Sequence, residues 1–277
     1  VTIVVLVVAS ALYGLGLWKM HRKGAAWPAR YTLAYYLGGM GSYAFVELGF
    51  LGTYAHDLRW AFTTRIALLI FVVPALIAAG RPLELLIQAS GDGGAARITR
   101  ILRWRIVRMF GNAMFATVFV AGVFLLFLTP FAWTMRGTPW MEAALGIVVP
   151  LLGLIMVLPI AATTGMRSST FITIEFLLAF VELLIDSIPG ILLRLDDAIA
   201  DHAPVIHNSA PWWPSPLHDQ HLSGDFIWFI AEVIDVPILV ILLVRWMRRD
   251  KAEAKEYDDL TDDEYEAMAQ AHLRGER

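Results

Sequence analysis

The chain has 277 residues, of which 58% are hydrophobic and only 17% charged, and its formal net charge is −3. A soluble domain carries about 25% charged residues, so this deficit, with a mean hydropathy of +0.61, excludes an ordinary soluble domain and points to the membrane class. The absence of cysteine excludes disulfides, iron–sulfur ligation and thiolate metal sites, which leaves His, Met and carboxylate as the possible metal ligands.

A spanning helix needs about 20 mostly apolar residues. Runs at 1–18, 31–52, 60–80, 109–133, 141–165, 170–193 and 225–246 qualify, and none alternates with period two. The reading is an all-α integral membrane protein, a seven-transmembrane-helix bundle over 1–246, with a charged tail over 247–277. The first run is followed by Lys19, Arg22 and Lys23 instead of a small-residue cleavage site, so it reads as a retained span. The first connection also carries Arg30. The third (81–108) holds Arg81, Arg97, Arg100, Arg103, Arg105 and Arg108, the fifth Arg167, and the tail Arg245, Arg248, Arg249 and Lys251. The alternate connections hold little beyond Arg59, Arg136 and Arg194. Basic loops mark the cytoplasmic side, which predicts the N-terminus outside and the C-terminus in the cytoplasm.

Three segments outside the spans carry further expectations. Around Arg97, Arg100 and Arg103, apolar Ile98, Ile101 and Leu102 alternate with the bases. The pattern suits an interfacial helix holding anionic lipid headgroups, and equally a basic loop with no lipid preference. Trp212-Trp213, between Pro211 and Pro214, reads as an aromatic anchor at the outer headgroup level. Thr261-Asp262-Asp263-Glu264 is a capping box that opens a short cytoplasmic helix.

Charges within apolar runs are costly and need partners. Glu175, Glu182 and Asp186 share one face of the sixth run, Glu232 and Asp235 one face of the seventh. Glu47 lies in the second run and Arg65, the single deep base, in the third. One reading is hydrogen bonding among neutral carboxyls with one ion pair to Arg65; the other is a cation or proton path at Asp186 and Glu232.

Four of the seven histidines, His202, His207, His218 and His221, fall in the polar outer loop 194–225, with Asp219-Gln220 among them. His56-Asp57 follows the second run, and Met135 and Met141 flank the connection after the fourth. Imidazole and thioether suit copper, the thioether favouring the cuprous state. The candidate metal ligands are therefore His56, His218, His221, Asp219 and Met135, with His202 and His207 read as loop residues. No nucleotide loop, nucleophile elbow or metalloprotease helix is present, so a non-enzymatic role is expected, without a nucleic-acid partner.

The stretches Tyr54-Ala55-His56, Pro74-Ala75-Leu76-Ile77-Ala78-Ala79-Gly80-Arg81-Pro82, Leu158-Pro159, Asp219-Gln220 with Gly224 and Trp228, and Arg245-Trp246 resemble the CtaG-like cytochrome c oxidase assembly proteins. The resemblance covers about 27–251. It implies a seven-span protein of the bacterial plasma membrane that assists copper supply to a haem–copper terminal oxidase, with subunits of that respiratory complex as partners. The family pattern also places a His-Met-x-x-His pair on the third span, where this chain has Phe62 and Ile66. That departure supports a second expectation, a structural accessory subunit of a respiratory or copper-oxidase complex.

Overall fold

The computed structural model describes residues 1–102, 104–110, 113–162, 169–201, 206 and 208–258. Every regular element among them is a helix. Helix α1 (Thr2–Arg22) ends with Lys19, His21 and Arg22 in its last turn, where cations meet the unpaired carbonyls. Helix α2 (29–48) widens into a π-helical turn at Ala34–Met40, and a short α3 (Phe50–Tyr54) follows. Helix α4 (Arg59–Ala79) is the hub of the bundle. Phe62, Ile66, Leu69 and Val73 are all buried along it, and Phe62 meets Phe127 edge-on with ring centroids 5.5 Å apart.

Helix α4 has its own π-helical turn, Leu68–Val72, just before Pro74. Proline has no N–H to bond the carbonyl four residues back, so a wider turn is a physical accommodation of the freed Ile70 carbonyl. Gly153 faces that carbonyl: a Cβ there would lie 2.2 Å from the Ile70 oxygen and 2.5 Å from Pro74 Cγ. The chain continues through α5 (Pro82–Ala89), α6 (Asp92–Leu102), α7 (Arg105–Phe110) and α8 (Ala113–Leu125). The last four helices are α9 (Phe131–Gly137), α10 (Pro139–Ala162), α11 (Ser169–Leu195) and α12 (Pro216–Asp258).

Three helices, Thr2–Arg22, Arg59–Ala79 and Pro139–Val157, are individually long and apolar enough to cross a membrane. The run 109–133, expected as one span, is not one straight helix. Val118–Leu128 and Phe131–Gly137 meet at 88°, and the pair makes a fourth candidate if taken as one broken span. The cause is local: Thr129 is extended, as the residue before a proline prefers, and Pro130 cannot continue the ladder. Runs 170–193 and 225–246 lie within Ser169–Leu195 and Pro216–Asp258, whereas 31–52 is helical only to Leu48, breaks at the extended Gly49 and resumes in α3. Helix α12 carries on without a break into the charged tail as far as Asp258; the capping box at Thr261 lies outside the described residues.

Large apolar side chains on the perimeter stay open, among them Val4, Leu37, Phe45 and Phe229. A soluble surface does not leave that much apolar area exposed, whereas lipid covers it. The apolar helices and this surface identify a membrane protein. Helices α11 and α12 pack closely at Gly190 and Gly224, where a Cβ on Gly224 would lie 2.4 Å from the Gly190 carbonyl oxygen. That crossing brings the start of α12 over the start of α4.

Candidate functional site

The first turn of α4 has no cap from its own flank. Leu58 precedes it in extended conformation and offers no side-chain hydrogen bond, so the leading N–H groups need a partner from elsewhere. Asp219, in the first turn of α12, supplies it. Its Oδ2 accepts from the Arg59 N–H at 2.8 Å and its Oδ1 from the Trp60 N–H at 2.9 Å. A residue 160 positions away thus performs the work of a local N-cap, and its negative charge faces the positive end of the helix. Burial raises the Asp219 pKa above the usual carboxylate value, and the two backbone N–H groups with Arg136 and Arg59 pull it partly back.

The Arg59 side chain is buried beneath this cap. Its Nε donates to Asp201 Oδ2 at 3.1 Å, its Nη2 donates to Asp201 Oδ1, and its Nη1 donates to Gln220 Oε1 at 2.5 Å. Gln220 is fully engaged: its Oε1 also accepts from the Ala200 N–H at 2.9 Å, and its Nε2 donates to the carbonyls of Ala198 (2.8 Å) and Asp196 (3.3 Å). Asp201 takes a second guanidinium, Arg136 Nη2, at 3.2 Å. One turn along, Thr63 and Ser223 hydroxyls meet at 2.7 Å. Two arginines and two aspartates therefore form a charge-balanced, buried knot joining α4, α9, the 196–201 loop and α12.

Burial also lowers the Arg136 pKa, while the nearby Asp201 carboxylate raises it. Its Nε and Nη1 are buried without a partner among the described residues. A cavity of about 30 Å³ beside Arg136, Arg59, Asp57 and Asp219 is large enough for a single water.

The expected metal ligands surround this knot. His56 is exposed, and its Nδ1 lies 3.0 Å from the Arg136 carbonyl oxygen. A carbonyl only accepts, so Nδ1 is the donor, and in the neutral ring Nε2 is the nitrogen that holds the lone pair. His221 Nε2 lies 3.4 Å from the Asp196 carbonyl, which makes Nε2 its donor. His218 is exposed beside an open, aromatic-walled pocket of about 540 Å³ with Trp60, Trp212, Trp213 and Phe226. Met135 is buried in the core. Asp219 caps α4. Among the described residues no three His, Asp or Glu side chains converge on a common metal position. His202 and His207 lie outside the described residues.

Deeper in the bundle, Arg65 is held by two carboxylates. Its Nε and Nη2 bind Glu47 Oε1 and Oε2 at 2.8 and 3.0 Å, and Nη1 binds Glu142 Oε1 at 3.2 Å. Thr2 Oγ1 donates to Glu47 at 3.2 Å. Gly146 makes the space, since a Cβ there would lie 2.8 Å from Glu47 Oε2. Glu232 accepts from the Trp228 indole N–H at 3.0 Å. The side chains of Glu175, Glu182, Asp186 and Asp235, and residue Arg103, lie outside what the structure describes. Phe62 and Ile66, at the positions of the expected histidine pair, are packed in the apolar core.

Sequence reasoning missed Asp201 and Glu142, and treated Arg59, Arg136 and Arg194 as scatter in the base-poor connections. A signal was available in those three arginines. Each base on the side that should lack them is neutralised by an acid, Arg59 and Arg136 by Asp201, and Arg194 by Asp225 at 3.2 Å.

A model of the cytochrome c oxidase caa3 assembly factor family matches residues 11–249. Uncharacterized proteins of Mycobacterium bovis and Mycobacterium tuberculosis are each 25% identical to this chain over 275 residues, covering 94% of it and 41% of the relative. One of Mycobacterium leprae is 25% identical over 263 residues, covering 91% of this chain and 40% of that protein. The chain thus spans about two fifths of the length of these relatives. No solved structure matches.

Proposed function

The chain belongs to the cytochrome c oxidase caa3 assembly factor family, and on that premise we propose that it is a seven-span protein of the bacterial plasma membrane that assists assembly of a haem–copper terminal oxidase without catalysing a reaction. The base-rich connections at the C-terminal ends of α1 and α4 face the cytoplasm in this reading, and the Arg59–Asp201 knot lies outside. Copper is the cargo, passed at the outer face through His56, His218 and His221, since Asp219 is engaged as the cap of α4 and Met135 is buried in the core.

The observation that carries the copper assignment is the state of His56. Its ring is oriented by the Arg136 carbonyl at Nδ1, which makes Nε2 the coordinating nitrogen of the neutral ring, the arrangement that second-shell bonds impose on metal-binding imidazoles. Exposed imidazoles in ones and twos suit a cuprous ion in transit, which accepts low coordination and must be released. The oxidase and its subunits are the partners, and the aromatic-walled pocket beside His218 lies next to the transfer residues.

A second reading, a structural accessory subunit of the same kind of complex, draws support from the packed Phe62 and Ile66. Copper transfer from the purified, cuprous-loaded chain to a chelator of graded strength separates the two. Copper retained by the wild type and lost from H56A and H218A/H221A supports hand-over. No retention by the wild type, with stable co-purification with an oxidase, supports the accessory role.

A further inference from the structure

The end of the bundle opposite the knot is rich in bases, of which Arg81 is paired with Glu84 at 3.1 Å. Lys23 Nζ donates to the carbonyls of Gln88 (2.9 Å) and Ser90 (3.4 Å), which ties the end of α1 to the end of α5. The Arg22 guanidinium lies over the Trp18 ring at 4.7 Å and that of Arg81 over Tyr31 at 4.5 Å. Beyond this ring of bases and aromatics run α6 and α7. Between 85 and 110 the sequence has Arg97, Arg100, Arg103, Arg105 and Arg108 against one acid, Asp92. Ala95, Ile98 and Leu102 are half-buried, one stripe of a helical period, while Arg97, Arg100 and Arg105 are exposed. Trp104, between α6 and α7, is 59% exposed beside them. No ion pair engages Arg97, Arg100 or Arg105 among the described residues. Helix α6 packs chiefly on its chain neighbours α5 and α7, while α7 reaches α8 and α10.

We propose that the α6–α7 segment binds anionic phospholipid headgroups, with Arg97, Arg100 and Arg105 holding the phosphates and Trp104 seated at the headgroup level. Guanidinium forks match phosphate oxygens in pairs. An indole beside them suits the boundary between headgroups and acyl chains better than an acidic protein surface, where its apolar ring gains little. The segment also leaves α4 and enters α8, both apolar, so the chain itself holds it at the membrane surface. The inference rests on the membrane placement of the bundle and is independent of copper.

The test is native mass spectrometry of the full chain, delipidated in detergent and offered phosphatidylglycerol or phosphatidylcholine of identical acyl chains. The wild type retains phosphatidylglycerol at least about tenfold in preference, R97Q/R100Q/R105Q retains the two equally, and R97K/R100K/R105K keeps most of the preference because the charge remains. Equal retention by the wild type, or an undiminished preference in the Gln variant, overturns the proposal and leaves the arginines to an acidic protein partner. Should the Gln variant not fold, salt decides on the wild type. The preference must collapse between about 50 mM and about 500 mM salt, and a salt-insensitive preference overturns the assignment. Neither result bears on copper transfer.

Discussion

Replacing Asp201 by Ala removes the one carboxylate that answers two buried guanidinium groups. The Asp201 side chain is fully buried, and those of Arg59 and Arg136 are 4% and 3% exposed, so water cannot take the place of the lost oxygens. Breaking a buried pair from one side costs about 3–5 kcal/mol, because the remaining charge stays desolvated and unanswered. Here two cations remain, with Asp219, Asp57 and Gln220 nearby but none of them replacing the lost bidentate carboxylate, so a value within that range is expected. At roughly 2–4 °C per kcal/mol for a chain of this size, the midpoint of thermal unfolding in detergent falls by roughly 6–20 °C. The control is D225A, which breaks the half-exposed Arg194–Asp225 pair (50% and 47% exposed); pairs of that kind contribute about 0–1 kcal/mol. A D201A midpoint no lower than that of D225A would refute the view that the knot is a buried, mutually dependent cluster.

Asp219 gives a pH prediction with a definite sign. Burial raises its pKa in the folded chain, so the folded state binds that proton more tightly than the unfolded state does. Its contribution to stability therefore increases as pH falls from neutral through the raised folded pKa and levels off below the ordinary aspartate value. The difference in unfolding midpoint between wild type and D219N should vary across that acidic window in this sense, and a difference that moves the other way contradicts the burial argument. Removing the cap altogether in D219A should cost about 0.5–2 kcal/mol at neutral pH, measured by the same melting assay. Gly224→Ala places a Cβ against backbone atoms of Gly190 and Arg194, which cannot move aside as a side chain would. A loss of about 1–3 kcal/mol is expected, with faster proteolysis of the loop between α11 and α12.

Helix α4, the apolar perimeter and the base-rich end of the bundle were legible in the sequence because each depends on local composition. The Arg65–Glu47 pair was also foreseeable, since a lone base inside an apolar run must find an acid, and Glu47 was the acid at matching depth. The break at Pro130 was hidden by apolarity: hydropathy scores 109–133 as continuous, while the backbone obeys the missing N–H. Asp201 could not be found by spacing, because its partners are 142 and 65 positions away and the loop that carries it has no periodicity. Asp219 stood out in the sequence, but its capping role did not. It was read as a possible copper donor near His218 and His221, whereas its geometry makes it first the cap of a distant helix.

The central claim is that this chain serves copper supply during assembly of a terminal oxidase through outer-face imidazoles. Its most direct test is the copper content of the oxidase purified from cells that carry H56A/H218A/H221A at wild-type abundance in place of the native chain. The account predicts an oxidase that accumulates with copper missing, restored by the wild-type chain. Full copper occupancy in the presence of the triple variant would contradict it.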